Sequence, residues 1–150
     1  MIYIGSDHAG FRLKEEIKEY LTSSGFIFED MGTHSEESCD YTFVAQDLCE
    51  KVIEDETNLG ILICGTGVGM SMAANKKNGI RAACCSEPYS AKLTREHNNA
   101  NVLCFGGRVI GLGLATELVN AFLTTPFSGE ERHIARINRL AEIEKENFRG

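Results

Sequence analysis

Apolar residues along this chain follow two alternating patterns: short unbroken runs, and longer stretches where they recur every three or four positions. The first pattern marks a buried strand and the second a helix that covers it. Tyr3 to Gly5 lies in the first run, and residues 10–23 then place Leu13, Ile17, Tyr20 and Leu21 on one helical face. Gly25 is positioned to end that helix. A second strand is expected over 26–31, then a polar loop to Asp40, which suits the N-cap of a helix carrying Val44, Leu48 and Val52. Leu59 to Cys64 is almost wholly apolar, as a central strand of a parallel sheet would be. A glycine-rich turn leads to a short helix ending near Lys77; a fourth strand spans 80–85, Pro88 opens the next helix, and 101–105 forms a fifth strand. Residues 111–123 carry Leu114, Leu118 and Phe122 at a spacing of four, and a charged helix from about 130 to 147 is expected to turn Ile134, Ile137 and Leu140 inward.

Strand and helix thus alternate five times before a C-terminal helix. That order predicts an α/β chain forming one domain over residues 1–150: an open, parallel, five-stranded sheet with helices on both faces, Rossmann-like. Ligands of such sheets sit outside the carboxyl ends of the strands. The residues that follow the strands therefore matter most: Ser6-Asp7-His8, Gly32-Thr33, Cys64 to Gly69, Ser86-Glu87 and Gly106-Gly107-Arg108.

Charge narrows the ligand. A formal net charge of -7 excludes a nucleic-acid binder, whose affinity rests on lysines and arginines neutralising phosphates. A small phosphorylated ligand remains compatible, because a few local donors outweigh the global field. The opening MIYIGSDHAG has no basic region followed by a long apolar run, so no signal peptide is expected. No apolar stretch approaches membrane-span length. A cytoplasmic protein with no membrane partner is the expectation. Of six cysteines, Cys64, Cys84, Cys85 and Cys104 lie in or at the ends of apolar runs, where the thiol packs as a small hydrophobe. No Cys-x-x-Cys pair or matching histidine spacing points to zinc.

Cys64-Gly65-Thr66-Gly67-Val68-Gly69 stands apart from those packing cysteines. Alternating glycines after a buried strand let backbone N–H groups converge as an anion nest, though a plain tight turn accounts for them equally well. Gly-Lys-Ser/Thr does not follow, so the loop is not a Walker A motif; Met70 stands where a dinucleotide fingerprint wants glycine and a cysteine phosphatase wants arginine. A thiol before such a loop is either activated by the N–H dipoles or buried and inert, and location alone leaves both readings open. Asp7 and His8 suit acid–base work or hydroxyl binding, or Asp7 caps the next helix. His97 ends the helix opened by Pro88 and is either a helix-end contact or a catalyst, depending on whether it reaches the crevice. Arg132 and Arg136, four apart, share a helical face that either clamps a phosphate or neutralises nearby glutamates.

Taken in order, Gly5 to Phe11, Gly60 to Gly69, Ile80-Arg81-Ala82 and His97 to Val102 closely resemble type B ribose-5-phosphate isomerases, over residues 2 to about 145. The resemblance implies an aldose–ketose isomerase of the pentose phosphate pathway that interconverts ribose 5-phosphate and ribulose 5-phosphate through an enediolate. It implies Cys64 as the base, Thr66 assisting at the same carbons, and N–H groups around Gly65, Gly67, Val68 and Gly69 stabilising the oxyanion. Asp7 would bind sugar hydroxyls, His97 would open the furanose ring with Asn98 beside it, and Tyr41 would line the pocket. His8, Arg132 and Arg136, joined by Arg108, would hold the phosphate. Some members carry a glutamate base where Met70 stands here, which leaves the role to Cys64. Neither metal nor organic cofactor is implied. The family is dimeric, or a pair of dimers, with shared sites, so that His97, Asn98 and Arg108 would come from the partner chain. The alternatives are an allose-6-phosphate or galactose-6-phosphate isomerase, or a non-catalytic sugar-phosphate-binding module on the same fold.

Overall fold

A computed structural model of the chain describes residues 1–148. The element order is β1 (Ile2–Ser6), α1 (Phe11–Ser23), β2 (Phe28–Asp30), α2 (Tyr41–Val52), β3 (Leu59–Cys64), α3 (Val68–Ala74), β4 (Ala82–Cys84), α4 (Pro88–Glu96), β5 (Val102–Gly106), α5 (Leu112–Thr124) and α6 (Glu131–Asn147). The five strands make one parallel sheet, as the alternation predicts, and their order is β2-β1-β3-β5-β4. The chain leaves β1 toward β2 on one side and returns to β3 on the other. The topological switch therefore lies between β1 and β3, where a crevice opens at their carboxyl ends.

Side-chain alternation along the strands builds two cores. Ile4, Ile61, Ile63, Leu103 and Phe105 face α1, α4 and α5, where they meet Leu13, Ile17, Ala91, Leu118 and Phe122. The intervening positions, Tyr3, Leu62, Cys64, Val102 and Cys104, face α2 and α3 and meet Leu48, Val52 and Met70. Cys64 thus ends a run of residues whose alternate members are locked between two layers, which fixes the direction of its side chain.

Local chemistry shortens the two edge strands relative to the apolar runs. Gly25, at φ +80°, closes α1 with a Schellman pair of bonds, its own N–H to Thr22 O and that of Phe26 to Leu21 O. Phe26 therefore belongs to the helix end, and β2 begins at Phe28 rather than at residue 26. On the other edge, Asn75 brackets β4, accepting from Ala82 N–H at 2.8 Å and donating to Ala82 O at 3.0 Å. Asp40 caps α2 through Thr42 N–H at 2.9 Å, and Glu87 caps α4 ahead of Pro88.

Helix α6 departs from expectation. Ile134 and Leu140 are exposed, at 41% and 49%, Ile137 is half-buried, and His133 is the buried residue of the helix. The apolar stripe exists, but the described residues leave much of it exposed. The helix runs along the amino edge of the sheet, touching the body near its two ends, through His133 on His97 and through Glu144, which accepts from Gly79 N–H. Leu140 and Ile143 stand over a cavity of about 540 Å³ lined by Ile80, Ala82 and Phe148. No described helix is long and apolar enough to cross a membrane.

Candidate active site

At the carboxyl edge, Cys64 is 6% exposed and its Sγ accepts from Gly67 N–H at 3.1 Å. The bond engages the sulfur as an acceptor. Gly67 can aim that N–H because it sits at φ +83°, and a Cβ there would lie 2.7 Å from the Phe105 backbone. Val68 N–H is committed to Thr66 Oγ1 at 3.2 Å. Two donors of the expected nest are thus turned to the loop's own side chains. The ring of Tyr41 packs on Gly69, whose added Cβ would meet it at 2.9 Å.

Neighbouring strand ends close around this loop. Asp7, 7% exposed, takes Gly10 N–H on Oδ1 at 3.0 Å, so it does steady the start of α1, and its own N–H binds Ile63 O beside the cysteine. His8 Nδ1 accepts from Cys39 N–H at 3.2 Å, which in the neutral ring puts the proton on Nε2. The loop bearing Cys39 is anchored at its start by the wholly buried Lys14, which donates to Asp30 at 2.7 Å and to Thr33 O at 2.7 Å. Arg108 N–H binds Gly65 O at 3.1 Å, Gly107 N–H binds Cys64 O at 2.8 Å, and the Arg108 guanidinium lies over Gly65. The Arg108 guanidinium therefore stands beside the backbone of the loop that follows Cys64.

The remaining thiols have no such setting. Burial pushes Cys49 up to about 12 and Cys85 up to about 11, and raises Cys104 well above its ordinary value. Cys84 is raised as well, by burial and then by Cys64, and its Sγ faces Thr66 O at 3.8 Å.

The other expected residues lie elsewhere. Helix α4 runs back from the carboxyl edge, so His97 and Asn98 reach the amino edge, just ahead of β5. Because Cys64 pairs in register with Gly106 and Gly60 with Val102, the length of β5 separates the two ends, about 13 Å at the usual rise per residue. His97 stacks on His133 with ring centroids 4.3 Å apart. His133 Nδ1 bonds Ser128 Oγ at 2.6 Å, and Ser128 N–H returns to Glu96 O. Burial holds the His133 imidazole below its ordinary value, and the neighbouring His97, Arg132 and Arg136 add to that. Arg132 pairs with Glu130 at 2.8 Å, and Arg136 is exposed.

The expected set therefore splits. Asp7, His8, Tyr41, Cys64, Thr66, the loop to Gly69 and Arg108 converge at one edge; His97, Asn98, Arg132 and Arg136 occupy the other. Arg108, expected to cross from a partner together with His97 and Asn98, instead lies against the Cys64 loop of its own chain. His133 and Ser128 escaped the sequence reading because their contact with α4 is tertiary; the one local signal was a histidine lying between Arg132 and Arg136. Among the described residues no group of three or more His, Cys, Asp or Glu side chains is arranged to hold a metal.

Comparison with known proteins agrees with this fold. A model of the Ribose/Galactose Isomerase family matches residues 2–140. Ribose-5-phosphate isomerase B of Escherichia coli (strain K12) is 50% identical over 144 residues, covering 96% of each chain. The solved structure of Clostridium thermocellum ribose-5-phosphate isomerase B superposes with a TM-score of 0.91 at 48% identity, covering 97% of each chain. That of Mycoplasma genitalium ribose-5-phosphate isomerase B with bound ribulose-5-phosphate superposes with a TM-score of 0.92 at 41% identity, again covering 97% of each.

Proposed function

From the premise that this chain belongs to the ribose/galactose isomerase family, we propose that it interconverts D-ribose 5-phosphate and D-ribulose 5-phosphate, as a cytoplasmic enzyme of pentose phosphate metabolism. The observation that carries the reading is the Cys64 sulfur, held as an acceptor by Gly67 N–H at the topological switch point with Arg108 over the same loop. In the open-chain aldose the Cys64 thiolate takes the proton from C2, and the electron pair moves through an enediolate. The thiol then returns the proton to C1, giving the ketose. Loop N–H groups other than those of Gly67 and Val68, which are bonded within the loop, oppose the charge that develops on the oxygens, and Thr66 attends the proton exchange between them. Asp7 and, from the second copy, Asn98 take sugar hydroxyls, and Tyr41 lines one wall.

One chain holds half of this chemistry, so the working form is a homodimer, or a pair of such dimers, in which each Cys64 crevice is closed by the amino edge of the second copy. The partner's His97 then opens the furanose ring by moving the proton between the ring oxygen and the anomeric hydroxyl. The partner's Arg132 and Arg136 complete a phosphate clamp with His8 and Arg108. No cofactor enters, because a proton transfer to an adjacent carbon requires only a base and a site for the oxyanion.

The test is the initial rate of ribulose 5-phosphate formation from ribose 5-phosphate after chelator treatment, beside allose 6-phosphate and galactose 6-phosphate. Fastest turnover of the pentose supports the reading. Turnover of a hexose phosphate alone would move the assignment within the family, and binding without turnover of any of the three would make this a sugar-phosphate-binding module.

A further inference from the structure

The segment His97-Asn98-Asn99-Ala100-Asn101 is held by more side-chain bonds than its position outside the regular elements calls for. Asn99 adopts φ +46°, a left-handed conformation that asparagine tolerates better than most residues. Arg81, from the residue just before β4, donates through Nε to Asn98 O at 3.2 Å and to Asn99 O at 3.1 Å, and through Nη2 to Asn99 O at 2.8 Å. Arg95 donates through Nη1 to Asn99 Oδ1 at 3.0 Å and to Ala100 O at 2.5 Å, while its Nε is buried without a partner. Asn101 Oδ1 in turn takes the Arg81 backbone N–H at 2.8 Å.

Arginine often satisfies the last carbonyls of a helix from a solvated position at little cost. Here two guanidiniums are partly withdrawn from water and close enough that burial, followed for Arg95 by repulsion from Arg81, lowers both below the ordinary arginine value. Both are bonded to the backbone or side chains of a single turn rather than to a carboxylate. The turn they hold presents His97 and Asn98.

We infer that Arg81, backed by Arg95, is a positioning residue for His97 and Asn98, fixing the left-handed turn that delivers both side chains to the crevice of a second copy. The inference rests on the shared-site reading above. Arg81 touches no substrate atom in this scheme. It acts by keeping the imidazole in register, where a displacement on the order of 1 Å costs roughly 100-fold in rate.

Complementation between subunits tests it. Full-length chains carrying two different affinity tags are co-expressed and mixed dimers purified for three pairs: Cys64→Ala with His97→Asn, Arg81→Lys with Cys64→Ala, and Arg81→Lys with His97→Asn. The Arg81→Lys homodimer should lose roughly 10- to 100-fold in turnover. Pairing it with Cys64→Ala should restore activity, because one site then combines an intact Cys64 with an intact turn, whereas pairing it with His97→Asn should not. Hydrogen exchange should quicken at residues 97–101 of Arg81→Lys and stay unchanged at 64–69. That localised signature holds even if the stricter Arg81→Gln variant fails to fold. Full activity of Arg81→Lys, rescue by His97→Asn rather than Cys64→Ala, or exchange raised across the whole chain would overturn the inference. If Cys64→Ala and His97→Asn fail to rescue each other, the shared-site reading falls and takes this one with it; if they do and Arg81→Lys is rescued by neither, this one falls alone.

Discussion

The two edges of the sheet hold their chemistry by different means. At the carboxyl edge, side chains are fixed by backbone: Cys64 by Gly67 N–H, His8 by Cys39 N–H, and Asp7 by Gly10 N–H. At the amino edge, side chains fix one another or the backbone: His97 stacks on His133, His133 bonds Ser128, and two arginines grip the turn between α4 and β5. In the proposed reaction the first edge supplies the base but not the ring-opening histidine; the second supplies that histidine and two arginines without a base. Each is built to be rigid and each is chemically incomplete, which is the arrangement expected when two copies of a chain complete one another across an isologous interface.

The largest effect should come from removing the base. Cys64→Ala is expected to lower ribose 5-phosphate isomerisation by roughly 10²–10⁴-fold, the usual worth of a positioned proton-transfer group. Its melting temperature and sugar-phosphate binding should stay near wild type, since the glycine loop and the arginines remain. Loss of binding together with activity would recast Cys64 as a packing residue, and the two edges would no longer divide along chemical lines.

The next test addresses the comparison itself. Cys64→Ala and His97→Asn are each impaired as homodimers, but a purified mixed dimer carries one fully intact and one doubly defective site. It should recover about half of wild-type turnover if sites are shared between copies. A mixed dimer no better than its parents would place both residues in one chain's site, against the length of β5 that separates them.

These two edges also differed in how far the sequence disclosed them. Residues 64 to 69 are contiguous and follow a strand whose apolar run announces its end, so the loop, its position and its neighbour Asp7 are legible from the strand ends, whereas Arg108, expected from a partner, lies against the loop of its own chain. The amino edge depends on a contact between α4 and α6, residues 97 and 133, which no local spacing encodes. Periodicity shows that α6 has an apolar face and not what covers it, so it predicts Ile134 and Leu140 inward, and both are exposed. Phe26 fits a strand for the same reason: hydrophobicity is shared by strands and by the residue that seals a Schellman turn.

Thiol chemistry sharpens the contrast within the carboxyl edge. At pH 8 a thiol with a pKa of about 11 is ionised to about one part in a thousand, so Cys85 should alkylate slowly, and Cys49 more slowly still. Iodoacetamide should modify Cys64 at least about tenfold faster than either, and ribose 5-phosphate should protect it. Peptide mapping over time checks this. Equal slow labelling of all buried cysteines would remove the distinction drawn between Cys64 and its packing counterparts.

The smallest effect belongs to the amino edge and appears as stability against pH. His133 is held below its ordinary imidazole value of 6.5 by burial, then by His97, Arg132 and Arg136, with Glu130 opposing. The unfolded chain therefore takes up a proton near pH 6.5 that the folded chain resists. The folded state keeps its full advantage above that pH and loses it progressively as pH falls toward the depressed folded value. Asp30 acts in a separate window. Its burial would raise it, but Lys14, Lys18 and Gly32 N–H together hold it below 3.8, so its contribution is lost only in stronger acid. Melting curves between pH 7.5 and 5 should accordingly show a small decline in wild type and a flatter profile in His133→Gln. If instead both proteins decline alike, burial beside His97 does not keep His133 neutral, and its depressed value contributes nothing to stability.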